Sequence, residues 1–319
     1  MRPGAHYCGP MRLGVIDVGS NTVHLLIVDA YPGAHPLPAS SHKISLRLSE
    51  HVTDDGLIAD EGRDRLVDFV GECIEVADEK GAESVVGFAT SAVRDAPNGD
   101  AVLAAVHAAH DVDLEVMSGV DEARHTFLAA RRWFGWSSGT LLMIDIGGGS
   151  LELCIGMDEE PDVAISLQLG AVRITRDWRS GDPPSPADVK RARKYVRAEI
   201  AAAVRPIIKH TDATRVVGTS KTMRSLARIG GAAPSKEGNY VTRILERKVL
   251  SDKMDKLAAM TVAERAMLSG VSAARAPQLL GGAIVAEAAM DILGVESLEI
   301  CPWAMREGVI LRLLDHLDS

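Results

Sequence analysis

Two stretches of this chain set out the same chemistry twice. Residues 13–28 read LGVIDVGSNTVHLLIV and residues 142–156 read LMIDIGGGSLELCIG. With Asp17 set over Asp145, Ile16 matches Ile144, Val18 matches Ile146, Gly19 matches Gly147, Thr22 matches Ser150, Leu25 matches Leu153 and Ile27 matches Ile155. In each copy an Asp closes an apolar run and Gly-rich backbone follows at once, so peptide N–H groups can face an anion beside a carboxylate. A small hydroxyl residue comes next. Oxygen-rich sites of this kind suit Mg²⁺, which takes one or two carboxylates together with water and phosphate oxygens. The copies differ where His24 lies opposite Glu152.

Other charged residues stand where phosphate chemistry would need them. Arg94, in FATSAVRDAPNG, follows the apolar run 83–90. Its planar fork binds phosphate oxygens in pairs and stays charged at any relevant pH, and an ion pair with a neighbouring acid is the ordinary alternative. Glu122 falls in the first turn of the helix expected after Ser118-Gly119, a place that favours acids through the helix dipole alone. Glu152 alternates with Leu151 and Leu153 on a strand, which turns it away from the core. In VVGTSKTMRSLA, Lys221 either contacts phosphate or fills space with its stem. KRARKYVRAE (190–199) crowds Lys190, Arg191, Arg193, Lys194 and Arg197 onto one helix, either to guide a polyanion or as a solvated face.

The elements that must hold these residues follow from periodicity. Residues 12–18 and 23–30 are β-rich runs joined by GSN, a tight-turn sequence, and 140–146 with 151–156 repeat the pattern around GGGS. A further strand is expected in HKISLRLSE, then a helix over 60–80 with Leu66, Val67, Val70, Ile74 and Ala77 on one side. Strand 83–90, a helix from Asn98, strand 112–119 and helix 120–134 complete an α/β half. Ser185 and Pro186, with Asp188 following, mark the start of a long helix over 187–209. Strand 214–220, a helix from Met223, a surface excursion at 232–250, helices at 251–258 and 261–270, an apolar helix in LLGGAIVAEAAMDILG, strand 296–302 and an amphipathic helix 305–317 make up the rest. Val309, Ile310, Leu313, Leu314 and Leu317 give that last helix an apolar face for docking.

Bulk properties narrow the class. At 319 residues two domains are expected, and 46% hydrophobic with 25% charged residues suits a folded enzyme, with only 4% aromatic. A net charge of −9 speaks against broad nucleic-acid binding. Cys8, Cys73, Cys154 and Cys301 are scattered without metal-ligand spacing and are expected as small buried hydrophobes. No run reaches the roughly 18 apolar residues of a membrane span, and no signal segment is recognisable, so a cytoplasmic protein without a membrane partner is expected. MRPGAHYCGP is expected to be a flexible extension before Met11.

Paired phosphate-binding hairpins resemble the superfamily of actin, the hexokinases and the Hsp70 ATPases. Within it GVIDVGSNTVHLLIVD, FATSAVRDAPNG, SGVDEARHTF and IDIGGGSLEL together resemble the exopolyphosphatase and guanosine pentaphosphate phosphohydrolase family, in order from 11 to 317. The resemblance implies an α/β fold of two ribonuclease H-like domains flanking a cleft: 11–121 with 303–319, and 122–302. It implies Glu122 as catalytic base and Glu152 as a second carboxylate positioning the water. Asp145 is then the principal Mg²⁺ ligand, Asp17 its partner, and Ser20, Asn21, Arg94, Gly147, Gly148, Gly149, Ser150, Lys221 and Arg275 the phosphate ligands. The implied activity removes terminal orthophosphate from inorganic polyphosphate. The alternatives are hydrolysis of guanosine pentaphosphate to the tetraphosphate, or a sensor of either ligand without catalysis, against which the intact Glu122, Asp145 and Glu152 speak. A sugar kinase would need an adenosine pocket, and Ser220-Lys221 stands where nucleotide-binding relatives show glycine. A homodimer is the family-based expectation for assembly.

Overall fold

The computed structural model describes residues 11–20, 22–31, 33–53, 55–178, 181–210 and 213–317. The expected extension 1–10, with Cys8, and Asn21 lie outside them. The chain forms two compact α/β units, one running to Ser118 and resuming at Arg306, the other spanning Gly119–Met305. The division falls ahead of Gly119 rather than after residue 121 because α4 is one unbroken helix from that glycine onward.

In the first unit β1 (Met11–Val18), β2 (Val23–Ala30), β3 (Ser40–Ile44), α1 (Asp60–Glu79), β4 (Ser84–Ala89), α2 (Ser91–Arg94), α3 (Gly99–His110) and β5 (Leu114–Val116) follow in order. The sheet order is β3-β2-β1-β4-β5, with β1 antiparallel to β2 and parallel to β4. Ile16, Val18, Val23, Leu25 and Ile27 leave the hairpin on one face and pack on Leu66, Val70, Cys73 and Ala77 of α1, whose spacing keeps them on one helical side. Val15 and Leu26, on the opposite face, are buried as well. The strand expected in HKISLRLSE ends at Ile44, because Arg47 turns into the left-handed region before a short 3₁₀ turn at Leu48–His51.

The second unit contains α4 (Gly119–Phe134), β6 (Leu141–Ile146), β7 (Leu151–Gly156), β8 (Val163–Leu167), α5 (Ala171–Trp178), α6 (Pro186–Ala203), α7 (Arg205–Ile208), β9 (Arg215–Gly218), α8 (Ser220–Ile229), β10 (Ile244–Glu246), α9 (Arg247–Ala259), α10 (Val262–Ala266), α11 (Leu279–Ile292) and β11 (Ser297–Ile300). Its sheet runs β10-β11-β9-β6-β7-β8. From β8 to β11 this repeats the order of the whole first sheet, so the duplication extends well beyond the hairpins. A last helix, α12 (Met305–Leu317), belongs to the first unit from Arg306 on, and its Val309, Ile310, Leu311 and Leu314 are buried.

Every residue of β6 and β7 is buried, because helices cover both faces of this sheet. Ile144, Ile146, Leu151, Leu153 and Ile155 face the core with α6 and α11. Met143 and Cys154 face Ala123, Phe127 and Ala130 of α4. By the two-residue period of strands, Asp145 and Glu152 share the α4 face. Cys73, Cys154 and Cys301 are buried free thiols, with burial pushing Cys73 up to about 12.

The second unit departs from expectation at several places. The long helix over 187–209 breaks at Val204, because Pro206 has no N–H to donate and its ring opposes a carbonyl one turn back. The excursion at 232–250 contains the edge strand β10 and the start of α9. Helix α8 begins at Ser220, three residues before the expected start. β8 and α5 were not foreseen.

Candidate active site

The two hairpins turn in the same way. Gly19 N donates to Thr22 O at 3.0 Å, and Gly147 N to Ser150 O at 2.9 Å. Beside each, a parallel strand runs into Thr-Ser and ties back to the hairpin, though two positions apart in the alignment: Thr90 N donates to Val18 O and Thr219 N to Ile144 O, both at 3.1 Å. The strand registers match Val85-Val86-Gly87 with Val216-Val217-Gly218, and the first strand runs two residues further before its Thr-Ser.

In the second unit the first turn of α5 faces the glycine loop. Ala171 N donates to Gly147 O at 3.0 Å, Val172 N to Gly148 O at 2.9 Å, and Gly170 N to Gly149 O at 3.0 Å. The loop carbonyls are thereby occupied, while Gly148 N and Gly149 N donate to none of the described residues. A strip of peptide N–H groups with its carbonyls turned away is the arrangement that binds oxyanions. The approach requires glycine at 170, where a Cβ would stand 2.2 Å from Gly148 O.

Three carboxylates meet on the α4 side of this hairpin. Asp145 and Glu152 are opposite one another in the ladder, and α4 brings Glu122 from its first turn. They are 9%, 2% and 8% exposed respectively. The expectation that Glu152 turns away from the core is corrected here, because α4 covers the face to which it points. Ser166 Oγ donates to Glu152 Oε1 at 3.0 Å, and the Ser150 hydroxyl adds support. Burial, then the charges of Glu122 and Asp145, still push the Glu152 carboxyl well above the usual carboxylate range. Burial also raises Asp145, with the Thr219 and Ser220 hydroxyls and the Arg224 charge pulling it back. Yet Asp145 Oδ1 and Thr219 Oγ1 are buried without a hydrogen-bond partner among the described residues.

That orphaned oxygen beside two more acids is what a hard divalent cation would satisfy, so the residues fit Mg²⁺. No group of three or more acidic, His or Cys side chains among the described residues forms an all-protein metal cage.

Cations border the trio. Arg224, which the sequence reading missed, acts on Asp145 and donates from Nη2 to Pro302 O at 2.6 Å. Arg275 is pushed down by burial and by the like charge of Arg224, and it has no ion-pair partner among the described residues. Lys221 is half-buried in the first turn of α8. Ser220 adopts φ 72°, a left-handed conformation that costs an L-residue about 1–2 kcal/mol.

The first unit holds the remaining sequence candidates. Ser20 Oγ and Ser91 Oγ lie 3.3 Å apart. Arg94 Nε donates to Asp95 Oδ1 and Nη1 to Met117 O, both at 3.1 Å, so the ion pair with a neighbouring acid is formed. Asp17 pairs in register with His24, and its Oδ2 lies 3.6 Å from Arg306 Nε. The expected helix of basic residues, α6, spends much of its charge on ion pairs: Arg191 with Asp188, Arg193 with Glu287 at 3.7 Å and Arg197 with Asp291 at 2.6 Å.

Duplicated α/β units, each with an Asp-turn hairpin, and an acidic trio beside peptide N–H groups that have no acceptor among the described residues define a phosphate-handling enzyme. The chain belongs to the Ppx/GppA phosphatase family, whose model matches residues 26–317, and it is a hydrolase. It is 51% identical over 305 residues to Exopolyphosphatase 1 of Mycobacterium tuberculosis, covering 96% of this chain and 89% of that protein. It is 28% identical to the guanosine-5'-triphosphate,3'-diphosphate pyrophosphatase of Aeromonas hydrophila, over 94% of this chain and 59% of that protein. The crystal structure of an exopolyphosphatase from Cytophaga hutchinsonii superposes with a TM-score of 0.80 at 25% identity, covering 96% of this chain and 98% of that one. Two mixed α/β domains, as the sequence leads one to expect, are therefore the architecture of this chain.

Proposed function

We propose that this chain is an exopolyphosphatase that releases orthophosphate from the end of inorganic polyphosphate. The acidic trio Glu122, Asp145 and Glu152 beside the unpaired N–H groups of Gly148 and Gly149 carries the reading. The 51% identity to Exopolyphosphatase 1 supports the substrate. Polyphosphate presents a chain of anionic oxygens to N–H donors and arginines, and a terminal phosphorus to water.

In this reading Glu122 accepts the proton of the attacking water. It stands in the first turn of α4, and a carboxylate there can take that proton. Glu152 orients the same water, held in place by Ser166 and Ser150. The new P–O bond forms as the bond to the bridging oxygen breaks, and the shortened chain leaves. Gly147, Gly148 and Gly149, with Ser150, Lys221, Arg224 and Arg275, take phosphate oxygens in the second unit; Ser20, Asn21 and Arg94 are proposed phosphate ligands in the first. Asp145 would hold Mg²⁺, which when bound neutralises charge developing on the phosphate oxygens.

The test is release of orthophosphate by the purified chain with Mg²⁺, comparing polyphosphates of defined length, guanosine pentaphosphate and ATP. Polyphosphate turnover well above the other two supports the assignment. Turnover of guanosine pentaphosphate alone would transfer it to the activity named for the Aeromonas relative, and binding without turnover would make the chain a sensor.

A further inference from the structure

The two hairpins share a turn and an Asp, but a different side chain faces each Asp and a different helix lies over it. In the second unit Asp145 pairs with Glu152, and α4 brings an acid, Glu122. In the first unit Asp17 pairs with His24, and the first turn of α12 brings a base, Arg306. Arg306 Nε lies 3.6 Å from Asp17 Oδ2, and Nη1 lies 3.2 Å from His24 Nδ1 across 282 residues of chain. A guanidinium can only donate, so His24 Nδ1 is the acceptor in this contact. These contacts hold the guanidinium over the hairpin, on a side chain that remains 28% exposed.

We propose that Arg306 is the resident cation of the first hairpin, meeting phosphate oxygens there as a metal would at Asp145. The chain then holds one divalent ion, at Asp145, and Asp17 with His24 positions Arg306 instead of ligating metal. A divalent ion at Asp17 would face a guanidinium at 3.6 Å. Asp145 Oδ1, by contrast, is buried without a hydrogen-bond partner among the described residues, in the midst of negative charge. Arginine suits the task because its donors lie in one plane and match phosphate oxygens two at a time. This deepens the reading of the chain as a phosphoanhydride hydrolase and rests on it.

The test is Mn²⁺ binding to the purified full-length chain without substrate, followed by the paramagnetic signal of free Mn²⁺, with KM and kcat for polyphosphate measured in parallel. The wild type should bind one ion. Asp145→Asn should weaken binding by about tenfold or more, and Asp17→Asn by no more than about twofold. Arg306→Gln should leave Mn²⁺ affinity unchanged and raise KM for polyphosphate more than it lowers kcat. If Asp17 is a ligand, Asp17→Asn weakens Mn²⁺ as Asp145→Asn does, and Arg306→Gln tightens it by removing a repelling charge. Either result, two ions, or none in the wild type overturns the proposal. Tightening cannot come from an unfolded variant, so the Arg306 arm stands even where Asp17→Asn fails to fold. A chain that binds Mn²⁺ as stated but turns over no polyphosphate keeps the placement of the ion and loses the substrate.

Discussion

Glu152 is where burial and charge conflict most sharply in this molecule. Its carboxyl is raised well above the ordinary range by burial first, then by Glu122 and Asp145. The folded chain therefore holds this proton more tightly than the unfolded one. The stability linked to it is present below the ordinary carboxylate pKa and is lost as pH rises toward the folded value. Glu152→Gln keeps an acceptor for Ser166 and removes the charge. The metal-free variant should melt with wild type in acid and about 2–4 °C above it near pH 8, equivalent to about 1 kcal/mol in a unit of this size. Equal melting temperatures at both pH values would refute the assigned conflict. Ser220, at φ 72°, offers a backbone counterpart. Ser220→Gly should be more stable than Ser220→Ala by about 1 kcal/mol in denaturant titration, since both lose the hydroxyl and only alanine keeps the strain. Asp17 and Asp145 stand out in the sequence because each precedes Gly-rich backbone, whereas Glu122 and Glu152 were singled out through the family resemblance, since the helix dipole alone accounts for an acid in a first turn. Arg224 and Arg306 could not be read there, because their meaning comes from contacts with residues far away in the chain, His24 above all.

At the scale of elements, the phosphate-facing loop is shaped by the helix behind it. α5 occupies the carbonyls of Gly147, Gly148 and Gly149, and only glycine at 170 lets it approach. Gly170→Ala would drive a Cβ against backbone, 2.2 Å from Gly148 O and 2.3 Å from Gly149 C. It should cost about 1–3 kcal/mol of stability and lower kcat/KM, although residue 170 is not among the proposed phosphate ligands. Wild-type kinetics in that variant would show that the loop needs no support from α5. The hairpins, α1, β4 and α11 were legible because turn residues punctuate them and apolar residues repeat at the right period. β8 and α5 were not, since β8 is half-buried throughout and its run lacks a strict alternation. β10 is three residues long in a charged stretch, and its strand character comes from pairing with β11.

For the whole molecule, a net charge of −9 must be reconciled with the polyanionic substrate proposed for it. α6 is not the answer, because Arg191, Arg193 and Arg197 are matched by acids. Lys190→Ala with Lys194→Ala should therefore change KM for polyphosphate by less than about twofold, as suits solvated surface charges. A rise of an order of magnitude would restore the helix as a guide for the substrate. The duplication that organises the chain was visible in the sequence only at its hairpins; the matching strand orders and the registers of β4 and β9 required three dimensions. The account rests most heavily on Glu122 as the base among three neighbouring acids. Polyphosphate hydrolysis by Glu122→Gln, with Mn²⁺ binding measured on the same preparation, tests it most directly. kcat should fall by about 10²–10⁴ with the ion still bound; hydrolysis at the wild-type rate would remove Glu122 from the role of base.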